Sequence, residues 1–122
     1  MDRVLVVDDS RLNRNLLGSI LKKAGYAVDA CKDGIEAIGA LERERDYAVL
    51  VFDLKMPVFS GIQLIDYLAS GLPHLLNRVI VITAFPDMAA KLNKPVFAVM
   101  SHPIESEALV AVVKRCLEAR RS

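Results

Sequence analysis

The sequence lacks several features that mark specialised classes of protein. It has only two cysteines, Cys31 and Cys116, which lie far apart and without the spacing of a metal-binding motif. We therefore expect both to be small apolar core residues. The 16 Lys and Arg residues balance 15 Asp and Glu residues, so the net charge is +1. A charge this small gives no reason to expect direct binding of nucleic acid or of an anionic membrane.

Long apolar runs, internal repeats and low-complexity segments are also missing. No segment is long and apolar enough to span a bilayer, and the N-terminal MDRVLVVDD lacks the layout of a signal peptide. These absences predict a cytoplasmic protein with no membrane segment. The end of the sequence, EARRS at 118–122, fits a natural terminus or a linker to another domain, and both interpretations stay open.

The sequence does contain enough apolar material for one core. Its 122 residues are within the usual size of one domain. Hydrophobic residues make up 53% and charged residues 25%, a composition that disfavours disorder. We therefore expect a single domain that spans residues 1–122.

Five short apolar segments, several of them dominated by Val, Ile and Phe, have the length of β-strands. They are residues 3–8, 27–32, 48–53, 78–84 and 96–101. Runs such as VLVV, VLVF and VIVI are apolar on both faces, which is typical of parallel strands that are covered on both sides.

Segments with helical periodicity fill the gaps between these strands. The first ends at Gly25, a suitable C-terminal stop, and Asp33 can cap the second. The stretch 86–93 leaves room for only a short fourth helix. The apolar stripe of the first helix is Leu12, Leu16, Leu17, Ile20, Leu21 and Ala24. The third and last helices have stripes of Ile62, Ile65 and Leu68, and of Leu109, Val112, Val113, Cys116 and Leu117.

Strands that alternate with helices five times predict an α/β domain with a five-stranded parallel sheet. Right-handed crossovers and the doubly wound, flavodoxin-like order 2-1-3-4-5 are the expected topology. In such a sheet, ligands bind beyond the carboxyl ends of the strands, where strands 1 and 3 are neighbours.

Polar residues stand where the predicted strands end. They are Asp8 and Asp9 after strand 1, Asp53 after strand 3, Thr83 and Ala84 after strand 4, and His102 after strand 5. Each has an ordinary interpretation by itself, because an Asp pair often begins a helix, a strand-end Asp can be solvated, and Thr is a common strand residue. Their joint placement at one edge instead favours a shared chemical site.

Three carboxylates at one edge repel each other, since two unit charges ~4 Å apart cost roughly 4 kcal/mol at an effective dielectric of about 20. A divalent cation removes this penalty, and Mg²⁺ suits one or two direct carboxylates with waters and a phosphate oxygen. We predict Asp9 and Asp53 as direct ligands, with Asp8 holding a metal-bound water. The backbone carbonyl of Lys55 is a further candidate ligand.

The metal site also gives Asp53 a chemical purpose. With a cation drawing in a phosphoryl donor, an exposed carboxylate can act as a nucleophile and become an acyl phosphate. The hydroxyl of Thr83 could donate to a phosphoryl oxygen, and the small Ala84 leaves room beside it.

Four segments together resemble the receiver domain of two-component response regulators. They are VLVVDDS at 4–10, FDLKMPVFSG at 52–61, VIVITA at 79–84 and SHPI at 101–104. The resemblance covers nearly the whole chain, and Asp-x-x-Met-Pro-x-x-x-Gly after an Asp pair is its most specific part. The segment DDSRLNRNLLGSILKKAGY is similar to receivers attached to hybrid histidine kinases.

The resemblance implies a role for each site residue. Asp53 would be the phosphoacceptor, Asp8 and Asp9 the acidic pair that binds Mg²⁺, Lys55 the carbonyl ligand and Thr83 the switch hydroxyl. It also implies a sensor histidine kinase or a histidine phosphotransfer protein as the donor. A covalently linked output domain and a weak homodimer are further expectations, and turnover as an enzyme is not expected.

The sequence departs from the family after strand 5. The family has a lysine before the proline there, and this chain has His102. Histidine is shorter than lysine and is cationic only when its ring is protonated, so it either substitutes in part or does not reach. Val99 occupies the position of the family's aromatic switch, although Phe97 has the same side-chain parity. The segment between Thr83 and His102 is also shorter than usual.

Three functions therefore compete. The first is a phosphorylatable receiver, and the second is a degenerate receiver that binds a partner without phosphorylation, which His102 and the altered strand 5 favour. The third is a hydrolase of the haloacid-dehalogenase type, which also uses an Asp nucleophile with Mg²⁺. That chemistry needs a second carboxylate two residues after the nucleophile, where this chain has Lys55, so we disfavour it.

Overall fold

The structure, a computed structural model, describes residues 1–44, 46–92 and 94–121; residue 122, the end of the predicted domain, lies outside them. The strands are β1 Arg3–Val7, β2 Ala27–Cys31, β3 Val49–Phe52, β4 Val79–Thr83 and β5 Ala98–Ser101. The α-helices are α1 Arg11–Lys23, α2 Gly34–Arg43, α3 Gly61–Gly71, α4 Pro86–Ala90 and α5 Ser106–Arg121, and a 3-10 helix spans Pro73–Arg78. None of these helices has both the length and the apolar character needed to cross a lipid bilayer.

The five strands form one parallel sheet in the order β2-β1-β3-β4-β5, which confirms the predicted fold class. The reversal of strand order places β1 and β3 side by side at the centre. Val7 pairs with Phe52, and Thr83 pairs with Ser101. The carboxyl ends of these four strands therefore lie at one edge of the sheet.

The core lies on both faces of the sheet, as the apolar runs predicted. Every residue of β3 and β4 is buried. One face packs against α2 and α3 and the other against α1 and α5. Burying one Val, Leu or Ile side chain contributes roughly 1.5–3 kcal/mol, so these two layers hold the central strands in place.

The apolar stripe of α1 is narrower than predicted. Leu17 and Leu21 are buried, but Leu12 is 77% exposed and Leu16 is 49% exposed. Successive residues of an α-helix are rotated by about 100°, which puts Leu12 and Leu16 to one side of the buried face. These two leucines are therefore part of the predicted apolar stripe but not of the buried core.

The strands end earlier than predicted, and the difference matters for the site. β1 ends at Val7 instead of Asp8, and β3 ends at Phe52 instead of Asp53. Each Asp side chain accepts a hydrogen bond from the backbone N–H two residues later, which turns the chain out of the sheet. Both carboxylates therefore stand in loops at the sheet edge.

A 3-10 helix before β4 was not predicted from the sequence. This helix begins at Pro73, and Leu75 is its buried residue. It has only six residues, which are too few to show a helical period in the sequence. Arg78, predicted as the first residue of strand 4, ends this helix instead. Its guanidinium donates to the Tyr47 carbonyl at 2.9 Å and the Asp46 carboxylate at 3.0 Å, which ties the start of β4 to the loop before β3.

The fourth helix is short, as predicted, with five residues, Pro86–Ala90. The end of the predicted stretch 86–93, residue 93, lies outside the described residues. β5 begins at Ala98, two residues later than predicted, although the Phe97 N–H still donates to the Val79 carbonyl at 2.9 Å. β5, at the edge of the sheet next to the short α4, is therefore only partly buried, and Val99 and Ser101 are exposed.

Gly61 lets the start of α3 lie directly against the loop that carries Asp53. Its N–H donates to the Leu54 carbonyl at 2.9 Å. A Cβ added at Gly61 would overlap the Asp53 carbonyl oxygen and come within 2.6 Å of the Leu54 Cα. These are backbone atoms and cannot rotate away, so only glycine fits at this position.

We predict that Gly61→Ala lowers the free energy of unfolding by roughly 2–3 kcal/mol, because the new methyl group must displace the Asp53 loop. Urea denaturation followed by circular dichroism measures this change. Gly71→Ala is the matched control, since Gly71 also lies in α3 and an added Cβ has no heavy atom within 4 Å. The control should be as stable as the wild type or up to about 1 kcal/mol more stable, because alanine favours a helix over glycine. Equal stabilities of the two variants would contradict the close approach at Gly61.

Candidate functional site

The site residues follow the strands whose ends meet at one edge of the sheet. Asp8 follows β1, Asp53 follows β3, Thr83 ends β4 and His102 follows β5. Because β1 and β3 are neighbours, their two acids come together although 45 positions separate them in the sequence. The parallel fold thus assembles the residues that the sequence analysis placed at strand ends.

Asp8 is fixed by the first turn of α1. The side chain is buried, with 2% of the residue exposed, and its Oδ1 accepts a 2.8 Å hydrogen bond from the Ser10 N–H. Ser10 in turn caps α1 by accepting from the Asn13 N–H at 3.2 Å. The Arg14 guanidinium donates to the Asp8 backbone carbonyl at 2.8 Å. The buried carboxylate is therefore held by local backbone geometry.

Asp53 is half-buried and stands at the start of the loop that leads to α3. Its Oδ1 accepts from the Lys55 N–H at 3.2 Å. Further along this loop, Val58 has a φ of 68°, a conformation that a β-branched residue rarely adopts. Ser60 then closes the loop with a capping box, its hydroxyl accepting from the Gln63 N–H and its own N–H donating to the Gln63 side chain.

Three potential metal-ligating side chains meet at the edge: Asp8, Asp53 and His102. One ligand atom from each lies within 4.8 Å of the other two. In the part of the chain that the structure describes, this is the one such group of three. Asp9, which we predicted as a direct ligand, is exposed and does not belong to it.

The predicted ligands and the observed group therefore differ. Asp8, predicted to hold a metal-bound water, is the acid beside Asp53, and His102 was not predicted as a ligand at all. The sequence carries a signal for His102, namely its position directly after strand 5, but the family pattern indicates only that it substitutes for a lysine.

The two central carboxyls are electrostatically strained. Burial raises the pKa of Asp8 above its usual value, and the neighbouring carboxylates of Asp53 and Asp9 raise it further, against the Ser10 N–H and His102. Burial also raises the pKa of Asp53, partly opposed by backbone N–H groups and by His102. The fold thus penalises the charged form of both acids, and a cation held between them would reverse that penalty.

Thr83 and His102 are linked through the backbone. Thr83 is fully buried, and its Oγ1 accepts a 2.9 Å hydrogen bond from the Phe85 N–H. The His102 N–H donates to the Thr83 carbonyl at 3.2 Å. Ala84, between Thr83 and Phe85, is exposed. The hydroxyl and the imidazole are therefore attached to one rigid pair of strand ends.

The Lys55 side chain is engaged with a residue that the sequence analysis missed. Its ammonium lies 4.5 Å from the centre of the Phe85 ring, a cation–π contact at the protein surface. A crevice of about 520 Å³ is lined by Asp9, Lys55, Met56, Pro57 and Phe85. The position of Phe85, two residues after Thr83, was the only sequence signal for this contact.

The aromatic positions near β5 also differ from the family pattern. Val99, at the position of the family's switch aromatic, is 45% exposed. Phe97 is partly buried and packs against the core between the sheet and helices α1 and α5. Phe85, by contrast, is 44% exposed and adjoins the site. An exposed aromatic ring is thus present beside Thr83, but it belongs to the β4–α4 loop.

The parallel sheet and its acidic edge are shared with a known protein family. The profile of the response regulator receiver domain matches residues 4–114. The chain belongs to this family and is a receiver domain of two-component signalling.

Relatives and solved structures agree with this assignment. The transcriptional regulatory protein GlrR of Escherichia coli K12 is 32% identical over 121 residues, which cover 94% of this chain and 26% of GlrR. The chain thus spans about a quarter of that relative's length. The response regulator TrrA of Thermotoga maritima, solved in complex with Mg²⁺-BeF, is 26% identical with a TM-score of 0.86 and covers 96% of this chain and 100% of its own.

Further matches range from a small part of a long protein to a whole receiver domain. The sensory/regulatory protein RpfC of Xanthomonas campestris is 36% identical over 86 residues, 67% of this chain and 11% of RpfC. A receiver domain from Clostridium thermocellum, at 18% identity and a TM-score of 0.88, covers 99% of this chain and 98% of its own and supports the fold alone.

We predict that Asp53→Asn stabilises the protein at neutral pH when divalent ions are removed with a chelator. A raised pKa in the folded state means that the charged carboxylate costs stability once the pH exceeds the ordinary carboxyl value of 3.8. Wild-type stability should therefore fall as pH rises through the raised pKa of Asp53, and the variant should lose less.

Thermal unfolding monitored from pH 4 to pH 8 checks this prediction. In a domain of this length, about 1 kcal/mol corresponds to roughly 3–5 °C in Tm. Asp66→Asn, which neutralises an exposed acid on α3, is the control and should leave Tm nearly unchanged. A lower Tm for Asp53→Asn than for the wild type at pH 7 would show that the carboxylate is not strained.

Proposed function

We propose that this receiver takes a phosphoryl group onto Asp53 from the phosphohistidine of a sensor histidine kinase or a histidine phosphotransfer protein. One observation carries the proposal: a half-buried carboxylate stands beside a second, buried carboxylate at the carboxyl edge of a parallel sheet. The raised pKa values of both acids are what a site shaped for a cation is expected to have before the cation binds.

The residues present fit Mg²⁺. Carboxylate and carbonyl oxygens are the hard ligands that this ion prefers. Asp8, Asp9 and Asp53 would hold it, with the backbone carbonyl of Lys55 as the proposed fourth protein ligand. When bound, the ion would neutralise the carboxylates and the oxygens of the incoming phosphoryl group. That the related TrrA was solved with Mg²⁺-BeF supports this choice of ion.

The transfer itself is a displacement at phosphorus. An Asp53 carboxylate oxygen forms the new O–P bond as the P–N bond to the donor histidine breaks, and the leaving imidazole keeps the electron pair of that bond and takes up a proton. The buried Thr83 hydroxyl, already oriented by the Phe85 N–H, would donate to a phosphoryl oxygen afterwards. The phosphorylated domain then changes its contacts with a partner or an output domain. We do not propose turnover of a free substrate.

The wider setting belongs to the same proposal. We propose that residues 1–122 form one receiver domain that acts in the cytoplasm, linked or unlinked to an output domain. The match covers 26% of the transcriptional regulatory protein GlrR and 11% of the sensory/regulatory protein RpfC, which supports the linked arrangement. We propose no direct contact with nucleic acid or membrane, and any self-association through α4, β5 and α5 would be weak.

We expect acetyl phosphate with Mg²⁺ to add one phosphoryl group, about 80 Da, to the wild-type protein, as judged by intact mass. Asp53→Asn should remain unmodified, because it lacks the nucleophilic oxygen. Asp66→Asn is the matched control and should be phosphorylated like the wild type. Equal modification of the wild type and Asp53→Asn would overturn the proposal, as would modification that persists fully in EDTA.

A specific observation favours a second candidate function, a degenerate receiver that binds a partner without phosphorylation. His102 stands where the family has a lysine, and α4 has only five residues, so the surface that reports phosphorylation is altered. The Lys55 ammonium, engaged with Phe85, does not replace the missing cation.

The two candidates differ in how partner affinity responds to Asp53. For a phosphorylation-dependent receiver, beryllofluoride with Mg²⁺ should change the affinity for its cognate kinase or phosphotransfer protein by roughly 5-fold or more, in the range of typical allosteric coupling. Isothermal titration calorimetry measures this change, with Asp53→Asn as the unresponsive control. An affinity that is the same with and without beryllofluoride would favour the degenerate receiver.

A further inference from the structure

The imidazole of His102 changes the chemical character of the acidic site. Its ring nitrogen and the carboxylate oxygens of Asp8 and Asp53 lie within 4.8 Å of one another. At this position the family has an ammonium group, which repels a metal ion and cannot act as a ligand while protonated. An imidazole nitrogen is instead among the commonest metal ligands in proteins. The site therefore offers one nitrogen and two carboxylate ligands.

We propose that this site binds a borderline transition-metal ion, Zn²⁺ or Co²⁺, more tightly than Mg²⁺, with His102 as the nitrogen ligand. The inference rests on the proposed function and deepens it, because it names an ion that would compete with Mg²⁺ for the same carboxylates.

Ligand chemistry separates the two kinds of ion. Mg²⁺ prefers oxygen ligands in a near-octahedral shell and keeps several waters, so it gains little from an imidazole. Imidazole suits Zn²⁺ and Co²⁺, and zinc sites with three protein ligands and an open position commonly combine His with carboxylates. The same three side chains therefore favour a transition metal over Mg²⁺.

The geometry needs only small side-chain movements. Around a tetrahedral ion with bonds of about 2.0–2.2 Å, ligand atoms lie roughly 3.3 Å apart, so the observed spread must close by at most about 1.5 Å. The backbones of all three residues are already fixed by hydrogen bonds. The Asp8 N–H donates to the Cys31 carbonyl, the Asp53 N–H to the Val7 carbonyl and the His102 N–H to the Thr83 carbonyl. The closure therefore falls to rotation of the side chains, and the Oδ1 atoms of Asp8 and Asp53 already accept hydrogen bonds from the Ser10 and Lys55 N–H groups.

The neighbouring cations are directed elsewhere. The Lys55 ammonium lies over the Phe85 ring, and the Arg14 guanidinium donates to the backbone carbonyl of Asp8 instead of its carboxylate. Neither contact occupies the carboxylate oxygens that would face the ion.

The other histidine and the two cysteines are not expected to compete with this site for Zn²⁺. The only other histidine, His74, is exposed on the 3-10 helix that precedes β4, at the amino end of that strand. Cys31 and Cys116 are buried, and burial raises the pKa of both thiols to about 11, so they stay protonated near neutral pH. His74→Gln is therefore a matched control for His102→Gln.

Isothermal titration calorimetry with Zn²⁺ and with Mg²⁺ tests the inference, together with the visible absorption of bound Co²⁺. Wild type and His74→Gln should bind one Zn²⁺ roughly 100-fold more tightly than Mg²⁺. His102→Gln should lose at least about tenfold in Zn²⁺ affinity and change its Co²⁺ spectrum, while its Mg²⁺ affinity changes far less. His102→Lys, which introduces the residue that the family has at this position, should also lose the preference for Zn²⁺ over Mg²⁺. Circular dichroism verifies that both His102 variants fold.

Two results would overturn the inference: Zn²⁺ affinity that is equal in wild type and His102→Gln, or Zn²⁺ affinity that falls equally in His74→Gln. Phosphorylation of the same samples by acetyl phosphate with Mg²⁺ separates this inference from the proposed function. If Asp53 is phosphorylated but Zn²⁺ binding ignores His102, only the transition-metal site is wrong. If Zn²⁺ binding depends on His102 but Asp53 is never modified, the metal site stands and the phosphoacceptor role is wrong.

Discussion

Two carboxylates, Asp8 and Asp53, are held side by side at the carboxyl edge of the sheet, and the rest of the site depends on this constraint. The adjacency of β1 and β3 brings them together, and buried layers on both faces of the sheet prevent the strands from moving apart. Burial penalises the charge of each acid. The sheet thus imposes an electrostatic cost on the charged acids, and we propose that a bound cation would remove this cost and so stabilise the folded state.

One half of the site keeps the residues of the family pattern, and the other half departs from it. The half that we propose as the phosphoacceptor, formed by the Asp pair, Asp53 and the loop that ends at Gly61, keeps the residues of the family pattern, and Gly61 lies directly against the Asp53 loop. The response half differs, because His102 replaces a lysine and Phe85 contacts Lys55 at the surface. We propose that a receiver with this combination still accepts a phosphoryl group. Its contacts with partners and its preference among metal ions would differ from those of other receivers.

Much of the fold followed from the sequence, for identifiable physical reasons. Runs that are apolar on both faces predicted parallel strands, and the alternation with helices predicted a doubly wound sheet, for which 2-1-3-4-5 is a common strand order. The exposure of Leu12 and Leu16 did not follow, because hydrophobicity alone does not tell which side of a broad stripe meets the sheet. The 3-10 helix was missed because six residues carry too little periodicity.

The sequence predicted which residues belong to the site but not how their side chains are arranged. Strand ends predicted which side chains share an edge, but they did not predict that the Asp8 carboxylate, which accepts from the Ser10 N–H, would group with Asp53 and His102. The contact between Lys55 and Phe85 likewise depends on how two loops approach each other, which strand patterns do not encode. Side-chain direction in loops is a tertiary property, so the sequence left it open.

A Mg²⁺ titration followed by backbone amide NMR shifts tests the central claim most directly. We expect one saturable site, with shifts concentrated at residues 8–10 and 53–55, and a loss of roughly tenfold or more in affinity in Asp53→Asn. The exposed-acid variant Asp66→Asn should titrate like the wild type. Shifts scattered over exposed acids, or an affinity that Asp53→Asn leaves unchanged, would contradict a metal site formed by the paired carboxylates.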